Sequence, residues 1–103
     1  MYARLVKAHL KPGKFDVATR TLEEKVIPML KKQKGFRDEL SFLDEDHKES
    51  VSISLWDTEE DVRKYEQDLY PKMLDTMKET VEGEPMVQHF EVANSTWYKI
   101  HAR

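Results

Sequence analysis

The chain has 103 residues with 17 basic side chains, 20 acidic ones and no cysteine, a length that suits one domain and cannot hold two. The missing cysteines exclude disulfides, thiolate metal sites and cysteine nucleophiles, and a cytoplasmic location fits. The charges are interspersed at a formal net charge of −3, which argues against the concentrated basic face that nucleic acid requires.

The longest apolar run, Val26 to Leu30, contains Pro28 and is far too short for a membrane span. A chain of this size buries roughly 65% of its unfolded surface, enough for a core without staples. Aromatic residues make up 10% of the sequence, which points to a packed globule, since disordered chains have few of them.

Tyr2 to Leu10 alternates loosely and lacks Gly and Pro, so it reads as a strand. Lys11-Pro12-Gly13-Lys14 follows as a tight turn, Pro fixing φ and Gly supplying φ > 0. Phe15, Ala18, Leu22, Val26 and Met29 then recur every three or four residues, the spacing of a helix. Lys31, Lys32 and Lys34 suit its C-terminal dipole, and Gly35 ends it. Pro28 removes a backbone donor inside this helix and predicts a kink.

Phe36 to Asp44 reads as a second strand, with Leu40 and Phe42 on one face, and the charged stretch Asp44 to Glu49 as a hairpin loop. Ser50 to Trp56 is the clearest strand, Val51, Ile53 and Leu55 pointing one way and Ser52, Ser54 and Trp56 the other. Asp57 or Thr58 caps a helix from Glu59 to Asp68 that buries Val62, Tyr65 and Leu69. Pro71 opens another helical segment carrying Met73, Leu74 and Met77. Gly83 and Pro85 end it, and Met86 to Ala93 forms the fourth strand. Residues 94–103 form a tail whose Trp97, Tyr98 and Ile100 suit an extra strand or a dimer contact.

The order β-α-β-β-α-β predicts an α+β, ferredoxin-like domain over residues 1–93. Its four strands form one antiparallel sheet in spatial order 4-1-3-2, with both helices on one face. The other face must then meet water, a ligand or a second copy. Taking Val51, Ile53 and Leu55, Val6, Ala8 and Leu10, and Phe90 and Val92 as helix-facing leaves a mixed open face. It carries Ser52, Ser54 and Trp56, Leu5, Lys7 and His9, and Val87, His89 and Glu91. Two such faces packed together would enclose a cavity of mixed polarity suited to a small ligand.

Several segments, in this order and spacing, resemble the antibiotic-biosynthesis monooxygenase family. They are Met1-Tyr2-Ala3-Arg4, Leu10-Lys11-Pro12-Gly13-Lys14, Val26-Ile27-Pro28-Met29-Leu30 and Lys34-Gly35-Phe36-Arg37, then Ser52 to Asp61 and Phe90-Glu91-Val92-Ala93. The resemblance spans residues 1–93 and implies a homodimeric α+β barrel with an awkward proline late in the first helix. It also implies a cofactor-free monooxygenase acting on a small planar phenol, anthrone or quinol. The pocket tryptophan of that branch matches Trp56; the asparagine four residues before it is Ser52 here. The haem-degrading branch is the less favoured implication, because its asparagine, tryptophan and histidine fall on Lys7, Tyr65 and Asp75.

His89 and His9 are the histidines on predicted strands, and an imidazole titrates where proton abstraction at neutral pH requires. They are the expected catalytic bases. Trp56, Ser52, Ser54, Leu5 and Tyr65 would hold a ring, while Lys7 would favour an anion or pair with Glu91. The alternative is a dimeric barrel that binds a hydrophobic ligand without turning it over. The four histidines are too scattered for a metal site, and the isolated glycines exclude phosphate loops. Lys34-Gly35-Phe36 begins like an RNA-recognition motif, then breaks at Arg37 and Asp38.

Overall fold

The computed structural model describes residues 1–98. Its elements are β1 (Tyr2–Leu10), α1 (Phe15–Thr21), a π-helical turn (Leu22–Val26), α2 (Ile27–Leu30), β2 (Phe36–Asp44), β3 (Glu49–Trp56), α3 (Glu59–Asp68), α4 (Tyr70–Met77) and β4 (Val81–Glu91). The strands form one antiparallel sheet in the order β2-β3-β1-β4, the expected ferredoxin-like topology. Ile100 and the rest of the tail beyond Tyr98 lie outside the described residues, and within them Trp97 is 58% exposed.

Local chemistry explains the element ends. Gly35 has φ +82°, and a Cβ there would sit 2.1 Å from the Asp61 Oδ2 atom, so glycine alone lets the chain turn into β2 against α3. Thr58 caps α3: its Oγ1 accepts from the Asp61 N–H at 3.1 Å and donates to Asp61 Oδ2 at 2.9 Å. At Pro28 the helix is irregular: the Ile27 N–H just before it reaches back five residues to the Leu22 carbonyl, a π turn beside the missing proline donor.

β4 differs from expectation. It starts at Val81 and contains Gly83 and Pro85, which sequence reasoning places before the strand. The register runs from Lys7↔Met86 to His9↔Glu82, so Gly83, Glu84 and Pro85 bulge out opposite Ala8. A bulge on an edge strand is where a sheet tolerates proline and a glycine at φ +73°.

The core lies between the sheet and the helices. Val26 and Leu30 meet Trp56, Val62, Tyr65 and Met73, with Tyr2, Leu22 and Phe36 packed against them. Trp56 is fully buried at its centre, edge-on to Phe36 at 5.4 Å and 5.1 Å from Tyr65. The sheet therefore has the reverse polarity on β3 and β4 from that expected. Directly paired residues share a face, and Trp56, Ser54 and Ser52 stand opposite Tyr2, Arg4 and Val6. Those serines face the helices, while Val51, Ile53 and Leu55 face outward. On β4, His89 and Glu91 pair with Arg4 and Tyr2 and lie on the helix side, while Phe90, expected in the core, is 49% exposed.

The candidate site between sheet and helices

The inverted polarity places the enclosed space on the helix side. A cavity of about 270 Å³ lies between the sheet and the α1–π-turn segment, walled by Val6, Ala8 and Leu10 of β1, Ala18, Leu22 and Ile27 above, and Met77 and Val81 at one end. The π turn carries Leu22 and Glu23 into this wall, a placement common for π turns at functional sites.

One strip of the wall is polar. Glu39 and Ser41 of β2 stand opposite Ser54 and Ser52 of β3, and Glu39, Ser41 and Ser52 all line the cavity. The Ser41 hydroxyl donates to Glu39 Oε1 and lies 3.2 Å from the Ser52 hydroxyl. Burial raises the Glu39 carboxyl above its ordinary pKa, and the bond from Ser41 offsets only part of that. A half-buried carboxyl with a raised proton affinity, beside an exposed serine on one wall of an aliphatic cavity, is a candidate proton acceptor for a bound ligand.

A second polar cluster crosses the same side of the sheet. Arg4, 3% exposed, donates from Nε to Glu66 Oε2 of α3 at 2.9 Å, and His89 Nε2 meets the same carboxylate at 2.8 and 2.9 Å. The guanidinium lies over Tyr70 at 4.1 Å and near Tyr65 at 5.4 Å. Burial opposes ionisation of Glu66, but the bonds from Arg4 and His89 outweigh it and hold the carboxyl below its ordinary pKa. Burial pushes the Tyr65 phenol up to about 12, against the Arg4 charge. The Trp56 indole N–H donates to Ser54 at 2.9 Å, so the tryptophan is fixed by the sheet.

These positions divide the residues expected to act together. His9, Lys7 and Leu5 point to the open face as expected; His89, Glu91, Ser52, Ser54 and Trp56 lie on the opposite side. His9 and His89 are thus on different faces and cannot share a substrate. Lys7 pairs with Glu49 at 3.2 Å, because register puts Glu49, not Glu91, on its face. Trp56 and Tyr65 are core residues, and of the expected set only Ser52 lines the cavity. Of the positions aligned with haem-degrading residues, Lys7 is on the open face, Tyr65 in the core, and Asp75 lines a larger, more open pocket of about 510 Å³ between α4 and β4. Among the described residues, no cluster of His, Asp or Glu is placed to hold a metal ion, and no helix is long and apolar enough to cross a membrane.

Glu39 was not singled out from sequence. Alternation alone hides it: a period of two puts Phe36 with Leu40 and Phe42, and only the register shift between Phe36 and Asp38 brings Glu39 and Ser41 onto the face of Phe36 and Trp56.

No protein-family model matches the chain, and no curated protein matches it. Solved structures do. A Bordetella bronchiseptica protein assigned to the antibiotic biosynthesis monooxygenases superposes with a TM-score of 0.77 at 12% identity, covering 88% of this chain and 95% of that one. A Streptomyces coelicolor monooxygenase solved with the ligand nanaomycin D gives 0.75 at 14% identity, covering 91% and 88%. A Nitrosomonas europaea protein of unknown function gives 0.76 at 14%, covering 92% and 91%. At these identities the likeness establishes the fold: the chain has the ferredoxin-like α+β fold of the antibiotic biosynthesis monooxygenases.

Proposed function

We propose that the chain is a cofactor-independent oxygenase for a small, planar, weakly acidic aromatic such as a phenol, anthrone or quinol, bound between sheet and helices. The cavity carries this reading. Its volume of about 270 Å³ sits just below the usual ~300–1,000 Å³ of small-molecule sites, its walls are mainly aliphatic, and its polar strip lies at one side. The fold supports the reaction class, and the neighbour solved with nanaomycin D supports an aromatic ligand.

In this chemistry a base removes a proton from the activated carbon or hydroxyl, and the electron-rich anion reduces dioxygen and bonds to it. For an anthrone-type CH₂, loss of water from the resulting hydroperoxide leaves a carbonyl. One oxygen atom is retained and the other leaves as water. The protein's part is to orient the ring, take the proton and exclude bulk water.

The open face supports a homodimer. Phe42, Met86 and Phe90 are about half exposed there, at 53%, 52% and 49%, around the aliphatic row Leu40, Ile53 and Leu5. A contiguous apolar face of this kind marks an interface, and a second copy of the same face covers it.

Oxygen uptake over a panel of anthrones, naphthols and quinols, with Ala18→Phe as the comparison, tests the proposal. Ala18 lines the cavity, so the phenyl ring should fill it and cut uptake at least about ten-fold while the protein stays folded. Uptake equal to that of the unsubstituted protein would remove the cavity from the reaction. A second reading, ligand binding without turnover, is favoured by one feature. The charged side chains among the described residues of the wall are the carboxylates Glu39 and Glu23, which do not stabilise a developing anion. Saturable binding with no oxygen uptake would select it.

A further inference from the structure

We infer that Glu39 is the proton acceptor of the sheet–helix cavity, and that the cavity therefore selects a neutral ligand bearing a weakly acidic hydroxyl over a carboxylate or a plain hydrocarbon. The inference rests on the cavity being the ligand site, as proposed above, but not on any reaction with dioxygen.

The β2–β3 register fixes the geometry. It sets Glu39 beside Ser54 and Ser41 beside Ser52, all directed to the helix side. The Ser41 hydroxyl spends its single proton on Glu39 Oε1 and sits 3.2 Å from Ser52, so the three side chains form one acceptor-rich strip. Burial and that one hydroxyl are the influences acting on the carboxyl; no cation faces it from the described wall. A half-buried carboxylate without a counter-charge needs a hydrogen-bond donor to offset its lost hydration.

A ligand hydroxyl supplies that donor, and transfer of its proton to Glu39 leaves an oxyanion on the ligand and a neutral acid on the protein. An anionic ligand would instead bring like charge against half-buried Glu39, and against Glu23 at the exposed rim of the cavity. A hydrocarbon would displace water from the strip and return no hydrogen bond. The remaining wall offers shape from Val6, Ala8, Ala18, Leu22 and Ile27 and neutral hydroxyls from Thr19, Thr21, Ser50 and Thr80, so what sets Glu39 apart is its charge.

The experiment compares 2-naphthol, naphthalene and 2-naphthoate by calorimetric or fluorescence titration near neutral pH, in the unsubstituted protein and in E39Q and E39A. A hydrogen bond to a charged partner corresponds to about ten-fold or more in affinity. The unsubstituted protein should therefore bind 2-naphthol at least about ten-fold more tightly than naphthalene, with 2-naphthoate weakest. In E39A the first two should converge, and in E39Q 2-naphthoate should gain. Equal affinity for 2-naphthol and naphthalene in the unsubstituted protein overturns the inference, and so does a hydroxyl preference that survives in E39A. Binding of none of the three overturns it together with the cavity. The expected preference without oxygen uptake sinks the oxygenase reading and leaves Glu39 standing, whereas uptake without the preference sinks only the role of Glu39.

Discussion

Replacing Glu66 with leucine should strand a buried cation, and the structure sets the scale of the loss. Arg4 Nε and Glu66 Oε2 are 2.9 Å apart, with side chains 4% and 20% exposed. At an effective dielectric near 20 the bare attraction at this distance is about 6 kcal/mol, most of it offset by desolvation. Removing one partner of a buried pair costs roughly 3–5 kcal/mol. The partial exposure of Glu66 favours the low end, and the lost contact with His89 adds about 1 kcal/mol. Stacking on Tyr70 is the same before and after the substitution and leaves the difference unchanged.

Glu66→Leu should therefore lose about 3–4 kcal/mol in urea unfolding at fixed protomer concentration, a large part of the stability of a small domain. The double substitution Arg4→Met/Glu66→Leu removes both charges and should lose less than about 1.5 kcal/mol, because an apolar pair of similar volume can replace a buried ion pair. If Glu66→Leu costs under about 1 kcal/mol, or the two single losses simply add, the cluster is solvated and its burial is not the source of its energy.

Glu39 and Glu66 should move stability with pH in opposite directions. The Glu66 carboxyl is held below its ordinary value in the fold, so the unfolded chain binds more protons, and its contribution is present above the unfolded pKa and lost as pH falls through the folded one. The Glu39 carboxyl is raised, so the folded chain binds more protons. Its ionisation costs stability as pH rises past the unfolded pKa, and E39Q should melt higher than the unsubstituted protein at pH 7, the gap closing in acid; a lower melting temperature at pH 7 would contradict this. On the open face, Ile53→Lys should weaken self-association by about a hundred-fold or more while leaving a folded protomer, since it sets a charge in the centre of the apolar row. Light scattering across a concentration series reads this, and an unchanged mass would argue against a sheet-to-sheet dimer.

The bounds of β1, β2 and α3 were legible in the sequence because alternation, Gly35 and the Thr58 cap each act locally. Strand order was legible too, through the short hairpin and the handed crossovers. Facing was not. A period of two tells which residues share a face and leaves open which face is covered. In Ser50 to Trp56 the more aliphatic side reads as helix-facing, as in most sheets with one wet face. Trp56 argued the other way, since an indole with Phe36 directly opposite needs a core to bury it. The fourth strand failed at its start for a different reason: Gly83 and Pro85 usually end elements, and only a bulge on an edge strand makes room for both.

The inversion itself carries functional meaning. A protomer that turned Val51, Ile53 and Leu55 under its helices would leave its serines wet, and Trp56 with them. This chain instead lines its own interior with Ser52, Ser54 and Glu39 and leaves the aliphatic side for another surface to cover. Polar residues taken out of water beside an apolar cavity cost stability unless something there uses them. Local patterning and fold disagree at β3 as at β4, and such conflicts concentrate where a protein accepts a cost for a site. The physical case for a ligand therefore begins with Ser52 and Glu39 sharing the buried face of Trp56, and the resemblance to monooxygenases only says which chemistry to try there first.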